Sequence, residues 1–390
     1  LNRETQMDAQ EYKALTRRAI QLVENQSREL APEPLRLSVS QYMDPTNAEN
    51  ERRVVESLPI PVATSAQIAN PGDYHVRDVL GRSLLISRDS DGTARVLLNY
   101  CRHRGALVAS GSGNARRFNC PYHSWTYDRG GGLVAIPGED GFTGCAKEDL
   151  GLIQLPSEER AGFVWTKLGG NGKVDLAAHL GEFESELTHW KLHEYYYVAH
   201  RDYELEANWK VALEAFNENY HFKTVHGDSV IGQGAYTNIF GFRTFGPHHR
   251  IEAPLISLED VVGLPEQEWP DDMHHVAMML LVFPTTVLAV GPFGVEVVEA
   301  LPGQTPDKCT FRHTFLSKIA PDDEDERAGM LDYFEEVHAA VEHEDIPVIQ
   351  AVGRAAFDGH LREFIIGRNE PGVQHFHRAL TETISTLKDP

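Results

Sequence analysis

Two stretches of the chain concentrate side chains that bind metals. The first reads Asn99-Tyr100-Cys101-Arg102-His103-Arg104-Gly105 and, further on, Phe118-Asn119-Cys120-Pro121-Tyr122-His123-Ser124-Trp125. Two of the four cysteines thus pair with two histidines as C-x-H and, sixteen residues later, C-x₂-H. Two thiolates and two neutral imidazoles suit a [2Fe–2S] cluster with cysteines on one iron and histidines on the other. Imidazole in place of thiolate reduces the negative charge and raises the reduction potential. Each of two loops would give one Cys to an inner iron and one His to an outer iron, near solvent, where electrons arrive. A structural Cys₂His₂ zinc site uses the same donors, although zinc knuckles usually place two cysteines close together. Unligated core cysteines are the remaining alternative.

The second stretch, 207–222, reads as an amphipathic helix. At about 100° per residue, Trp209, Leu213, Phe216 and Tyr220 form one stripe and Lys210, Glu214, Asn217, Glu218 and His221 another. Solvent exposure would by itself account for the polar stripe. His226 adds a second reading. Five residues separate it from His221, about 140° on an ideal helix, so both reach one metal only if the helix ends or distorts between them. Thr224, Val225 and Gly227 make an ending there plausible. Two histidines and a carboxylate with open positions form the facial triad of non-haem Fe(II) oxygenases.

The motifs carry a specific resemblance. His103-Arg104-Gly105 and Cys120-Pro121-Tyr122-His123-Ser124-Trp125, followed by Gly130-Gly131-Gly132-Leu133, resemble the signature loops of Rieske ring-hydroxylating oxygenase alpha subunits. Asn208-Trp209-Lys210 and then Glu218-x₂-His221-x₄-His226 resemble that family's acid-x₂-His-x₄-His pattern. The resemblance runs from about residue 55 to 385. It departs at Glu218, where Asp is usual and where Glu is similar to the choline- and carnitine-type members, and at Ala215, often Asn.

The resemblance implies a [2Fe–2S] cluster on Cys101, His103, Cys120 and His123, with Gly105 and neighbouring amides bonded to its sulfurs. It implies Fe(II) on His221, His226 and a downstream acid. Glu342-His343-Glu344-Asp345 matches the family's acidic neighbourhood in part, and Asp345 is the choice, with Glu342, Glu344 and Asp358 as rivals. Glu218 would bridge a cluster histidine of one subunit to an iron-ligand histidine of the next, in a head-to-tail homotrimer. A ferredoxin and/or a flavin reductase would supply electrons, so NAD(P)H acts only indirectly. The expected reaction uses O₂ to hydroxylate or oxidatively demethylate a small organic substrate, aromatic or amine. The alternatives are a cis-dihydroxylating dioxygenase of aromatic catabolism and a non-catalytic Rieske electron carrier.

The expected fold is α+β: an N-terminal Rieske β-sandwich domain and a catalytic helix-grip domain with an antiparallel sheet. The expected divisions are 1–54 (helix and linker packing on the catalytic domain), 55–168 (Rieske) and 169–390 (catalytic). Residues 8–29 have helical spacing, and 30–72 read as a connection rich in Pro and small polar residues. Short apolar runs separated by Gly and Asp turns over 73–167 indicate small antiparallel sheets. Residues 175–226 read as mostly helical, 227–272 as a long loop, 273–318 as strands, and 322–343 and 372–387 as helices. Substrate-pocket residues are expected from 227–272 and 276–300.

With 390 residues, 41% of them apolar, the chain suffices for about two cores. Its 58 acidic and 36 basic residues give a net charge of −22, which disfavours nucleic acid as a partner. Against that background, Arg102, Arg104, Arg116, Arg117 and Arg129 cluster around the first motif. Four cysteines do not make a disulfide scaffold and suit a reducing compartment. No apolar run approaches the ~18 residues of a membrane span, and the first residues lack a signal-peptide pattern. The expectation is a soluble, cytoplasmic protein, with an upstream segment allowed for because the chain starts without Met.

Overall fold

Tight turns build the first unit. Leu80-Gly81 and Ala161-Gly162 both have positive φ at the two central positions, the twist that lets a two-residue hairpin match its strands. The computed structural model describes residues 3–169, 172–227, 229–270 and 275–388. They form two compact units, Val55–Tyr197 and Leu1–Val54 with Val198–Pro390.

The Val55–Tyr197 unit holds a five-stranded sheet in the order Gln154–Leu155, Ala94–Leu98, Arg82–Arg88, Asp73–Val79, Ser112–Asn114. A three-stranded sheet follows the order Ser157–Arg160, Phe163–Thr166, Ile60–Thr64. A second small sheet, Phe118–Asn119, Thr126–Tyr127, Leu133–Ala135, carries one of the two metal-motif loops. Cys101, Cys120, Trp125 and Tyr127 are buried in one core with Leu85, Leu97 and Phe118.

The other unit is built on seven strands. Their order is Tyr196–Leu205, Cys309–Ser317, Gly294–Pro302, Thr286–Val290, Val276–Val282, His248–Pro254, Gly241–Phe245. From Gly241–Phe245 across to Cys309–Ser317, neighbouring strands pair antiparallel. The short helix Trp209–Glu214 packs on two of these strands, and the C-terminal helix Pro371–Lys388 on another. Asn208 caps the short helix by accepting from the Lys210 amide, and its own amide reaches Tyr42 O at 2.8 Å. Lys210 is buried in an ion pair with Glu51, which also accepts from the Trp209 indole at 2.8 Å. Asn-Trp-Lys is therefore an anchor that fixes the segment leading to His221.

Several expected elements differ. Residues 30–72 contain a helix, Pro45–Ser57, with Pro at its first position and Asp44 accepting from the Thr46 amide. The expected helical stretch 175–226 is broken by the strand Tyr196–Leu205. The expected loop 227–272 contains the hairpin Gly241–Phe245/His248–Pro254, and all seven residues of its second strand are buried. The expected helix 322–343 continues as Glu324–Ala340, a widened π turn Val341–Asp345, and Ile346–Phe357. Pro347 has no N–H for the ladder, and the widened turn just before it lets the helix continue. Among the described residues, no helix is long and apolar enough to cross a membrane.

Candidate metal centres

The two motif loops have the same construction. The Cys101 amide donates to Ala106 O and the Gly105 amide to Cys101 O, both at 2.8 Å. The Cys120 amide donates to Trp125 O at 2.8 Å and the Ser124 amide to Cys120 O at 2.9 Å. The residue four after each cysteine takes positive φ, +78° at Gly105 and +59° at Ser124. Gly tolerates that conformation freely, and Ser does so at a cost. The Gly105 and Ser124 amides each close their own loop.

Cys101 and Cys120 are buried free thiols, while His103 is half-buried and His123 exposed. The two imidazole rings lie 4.7 Å apart, and His103 stacks on Trp125 at 5.0 Å. The Tyr127 hydroxyl sits 3.2 Å from Cys101 Sγ and accepts the Arg102 amide at 3.0 Å. Desolvation, then His123 and Arg104, lower the pKa of His103 and favour the neutral, ligating form. Soft thiols inside and imidazoles outside fit a mixed-ligand [2Fe–2S] cluster.

Around these loops, Arg102, Arg104, Arg116 and Arg117 are exposed. Arg102 donates to Gly151 O at 3.0 Å, and Arg104 meets the Tyr122 hydroxyl at 3.1 Å. Arg129 differs: it is half-buried and donates to Ala115 O at 3.0 Å.

The other unit assembles the second centre. The helix from Trp209 ends at Glu214, so Tyr220, placed by the sequence on one stripe with the buried Trp209 and Leu213, is 56% exposed. Lys210 and Asn217, expected on the polar stripe, are buried instead. A separate turn, Phe222–Val225, follows, with His221 at its N-cap and His226 at its C-cap. That break lets the two rings converge, with centroids 5.1 Å apart. Asp345, buried on the widened turn, places Oδ1 3.6 Å from His221 Nε2 and 3.1 Å from His226 Nε2. One donor atom from each of the three lies within 4.8 Å of the others.

Both imidazoles are oriented from behind. His221 Nδ1 bonds Glu218, whose other oxygen accepts the Tyr220 and His221 amides. His226 Nδ1 meets Glu344 Oε2 at 2.6 Å. Glu344, a rival for the third ligand position, thus contacts the far nitrogen of a histidine. Such carboxylates fix ring orientation and raise ligand basicity. The other rivals lie elsewhere: Glu342 beside Tyr203, and Asp358 exposed at the helix end with His360. Burial alone lowers the His226 pKa, but Asp345 and Glu344 outweigh it and raise it. Surplus negative charge around converging nitrogens fits a divalent cation.

The three side chains open on a cavity of about 430 Å³. Its wall is almost entirely apolar and includes Ile231, Leu255, Met279, Val287 and Val298, drawn from both expected segments. The histidines of 227–272 do not reach it: His248 and His249 are buried elsewhere, against the Phe283 amide and His375. Beyond the triad, Glu296, His313 and the hydroxyl-bearing Tyr333 are the cavity's polar residues.

Comparison with known proteins agrees with this geometry. A Rieske [2Fe–2S] domain matches residues 59–150, and the catalytic domain of the ring hydroxylating alpha subunit matches 192–386. The carnitine monooxygenase oxygenase subunit of Acinetobacter pittii is 34% identical over 179 residues, 43% of this chain and about half, 47%, of that protein. The biphenyl 2,3-dioxygenase alpha subunit of Rhodococcus jostii is 33% identical over 40% of this chain and 36% of its own length. A quaternary ammonium Rieske monooxygenase crystallised with an inhibitor shares the fold, with TM-score 0.77 at 22% identity over 90% of this chain and 96% of that one. With half its length matched by the catalytic-domain family and a Rieske domain ahead of it, the chain belongs to the ring-hydroxylating alpha subunits.

Proposed function

We propose that the chain is the catalytic subunit of a Rieske non-haem iron oxygenase that hydroxylates or oxidatively demethylates a small organic molecule. The observation that supports this best is the convergence of His221, His226 and Asp345 on one wall of a largely apolar cavity. Cys101, His103, Cys120 and His123 would hold the cluster, and His221, His226 and Asp345 the Fe(II). When bound, the cluster relays single electrons and the mononuclear iron activates O₂.

The chain's own groups supply the rest. His221, His226 and Asp345 all line the cavity, so a metal they held would be reachable from it. Glu218 and Glu344 hold the imidazoles with Nε2 inward. The apolar wall excludes water and aligns the substrate by shape. Glu218 is a positioning residue, and the family pattern makes it the bridge to a cluster histidine of a neighbouring subunit in a head-to-tail trimer. A ferredoxin and/or flavin reductase would deliver the electrons. Glu at position 218 where Asp is usual, a pattern similar to the choline- and carnitine-type members, favours monooxygenation.

Metal content tests the reading. Protein purified without oxygen is expected to hold three irons and two acid-labile sulfides per chain. Mild chelation should remove one iron and leave the visible spectrum. Two irons, none of them removable, would indicate an electron carrier. Zinc with no sulfide would overturn the Rieske assignment.

A further inference from the structure

The strand Gly294–Pro302 alternates onto the cavity through Gly294, Glu296 and Val298. A wall position of that strand calls for an apolar residue. Glu296 stands there, paired across the sheet with Ala289 on one side and Phe315 on the other, both also on the wall. One of its oxygens bonds His313 Nε2, and the other, Oε1, is buried without a hydrogen-bond partner among the described residues. Leaving a buried carboxylate oxygen unpaired is costly.

A chain of polar side chains, His313, His338 and Tyr203, stands behind Glu296. His313 Nε2 faces a carboxylate and so donates. Its Nδ1 lies 2.9 Å from His338 Nδ1, so one of these two nitrogens donates to the other. His338 is pushed down to about 4 by burial and by His313, so it stays neutral. Its Nε2 meets the Tyr203 hydroxyl at 2.8 Å. No Lys or Arg lines the cavity among the described residues. Beside Glu296 stand aromatic rings: Tyr333 lies 5.3 Å from Phe315 and 5.4 Å from Phe293, and all three line the cavity. Burial, then the nearby carboxylates Glu296 and Glu336, raise the pKa of Tyr333.

We propose that Glu296 is a specificity-determining residue that accepts a hydrogen bond from a protonated amine on an otherwise apolar substrate. This rests on the oxygenase reading of the same cavity. The N–H would fill the vacant acceptor, aromatic faces would favour the cation, and the apolar remainder would occupy the rest of the wall. His313 positions Glu296 and His338 positions His313.

Calorimetric titration of the oxygen-free holoenzyme tests this with three matched probes. They are protonated N,N-dimethyl-3-phenylpropylamine, its N,N,N-trimethylammonium analogue without an N–H, and 4-methyl-1-phenylpentane, the uncharged isostere. The amine is expected to bind roughly tenfold to a hundredfold more tightly than the isostere, the range of a charge-assisted hydrogen bond, and more tightly than the trimethyl analogue. Glu296→Gln, which can still accept from His313, should erase the ranking while retaining iron and the cluster spectrum. Equal binding of the amine and either analogue by the wild type, or a ranking that survives in Glu296→Gln, overturns the inference. The wild-type series needs no variant and so stands if Glu296→Gln folds poorly. Iron content separates the two levels: wild type without mononuclear iron sinks the oxygenase reading as well, whereas loaded enzyme without amine preference sinks only the role of Glu296.

Discussion

The two candidate metal centres are built in opposite ways. The cluster site comes from one stretch of sequence, from two copies of the same five-residue turn, and leaves His123 exposed. The triad draws Asp345 from more than a hundred residues beyond His226, and Asp345 and His226 are buried. A centre that must accept electrons from another protein is served by short surface loops. A centre that must hold oxygen chemistry away from water needs a cavity, and a cavity is a tertiary construction.

If the centres are as separate as their ligand sets, each can be emptied alone. The largest expected effect is at the cluster. Cys101→Ser or His123→Ala should abolish its visible absorption and reduce turnover to background, because electrons then have no entry. A spectrum surviving either change would break the assignment and the comparison with it. Asp345→Ala and His221→Ala should do the converse, losing the mononuclear iron and activity while the cluster spectrum stays intact. Full iron occupancy in Asp345→Ala would move the third ligand to another acid.

The same contrast explains what could be read in advance. The four candidate cluster donors are legible in the sequence because their spacing and turn residues lie within one local segment. His221 and His226 were legible as a pair, and their need for a helix break was met by the turn at Phe222–Val225. Asp345 could only be chosen among rivals, since a widened helical turn decides which acid of Glu342, Glu344 and Asp345 faces inward. The contact of Glu344 with His226 had no sequence signal, because it joins residues 118 positions apart. The strand His248–Pro254 reads as loop in the sequence because a strand buried on both faces loses alternation, and the surrounding 227–272 is rich in Gly, Pro and His.

The carboxylates behind the histidines sharpen the comparison by separating affinity from electron flow. Glu344→Gln should weaken iron binding about 10–100-fold, as changes to groups supporting metal ligands do, without touching the cluster spectrum. Metal titration against a chelator measures it. Glu218→Gln should leave both sites loaded yet slow cluster oxidation in a single turnover with substrate and O₂. Glu218 bonds His221 but is surplus to a three-ligand site, so a purely structural role would show as lost iron. Unchanged cluster oxidation with full iron would end the bridging proposal.

The smallest expected effect concerns how electrons arrive. The chain carries −22, yet Arg102, Arg104, Arg116 and Arg117 are exposed near the cluster loops. Two of them have local polar partners in Gly151 and Tyr122. Arg129 is held by Ala115 O and contributes less to any surface patch. Basic charge over a redox centre suits an acidic donor, the usual character of ferredoxins. Complementary charge acts mainly on association rate, and salt screens it with a Debye length of about 10 Å at 0.1 M. Cluster reduction by the protein donor should therefore slow as salt rises. Charge reversal at Arg116 and Arg117 should slow it further at low salt, on the order of tenfold, and the difference from wild type should shrink at high salt. Reduction by a small uncharged reductant should be unchanged, because that reagent needs no docking face. Stopped-flow traces of the cluster absorption distinguish these cases. A donor reaction indifferent to salt and to both arginines would remove the basic docking surface from the account while leaving the two centres as they stand.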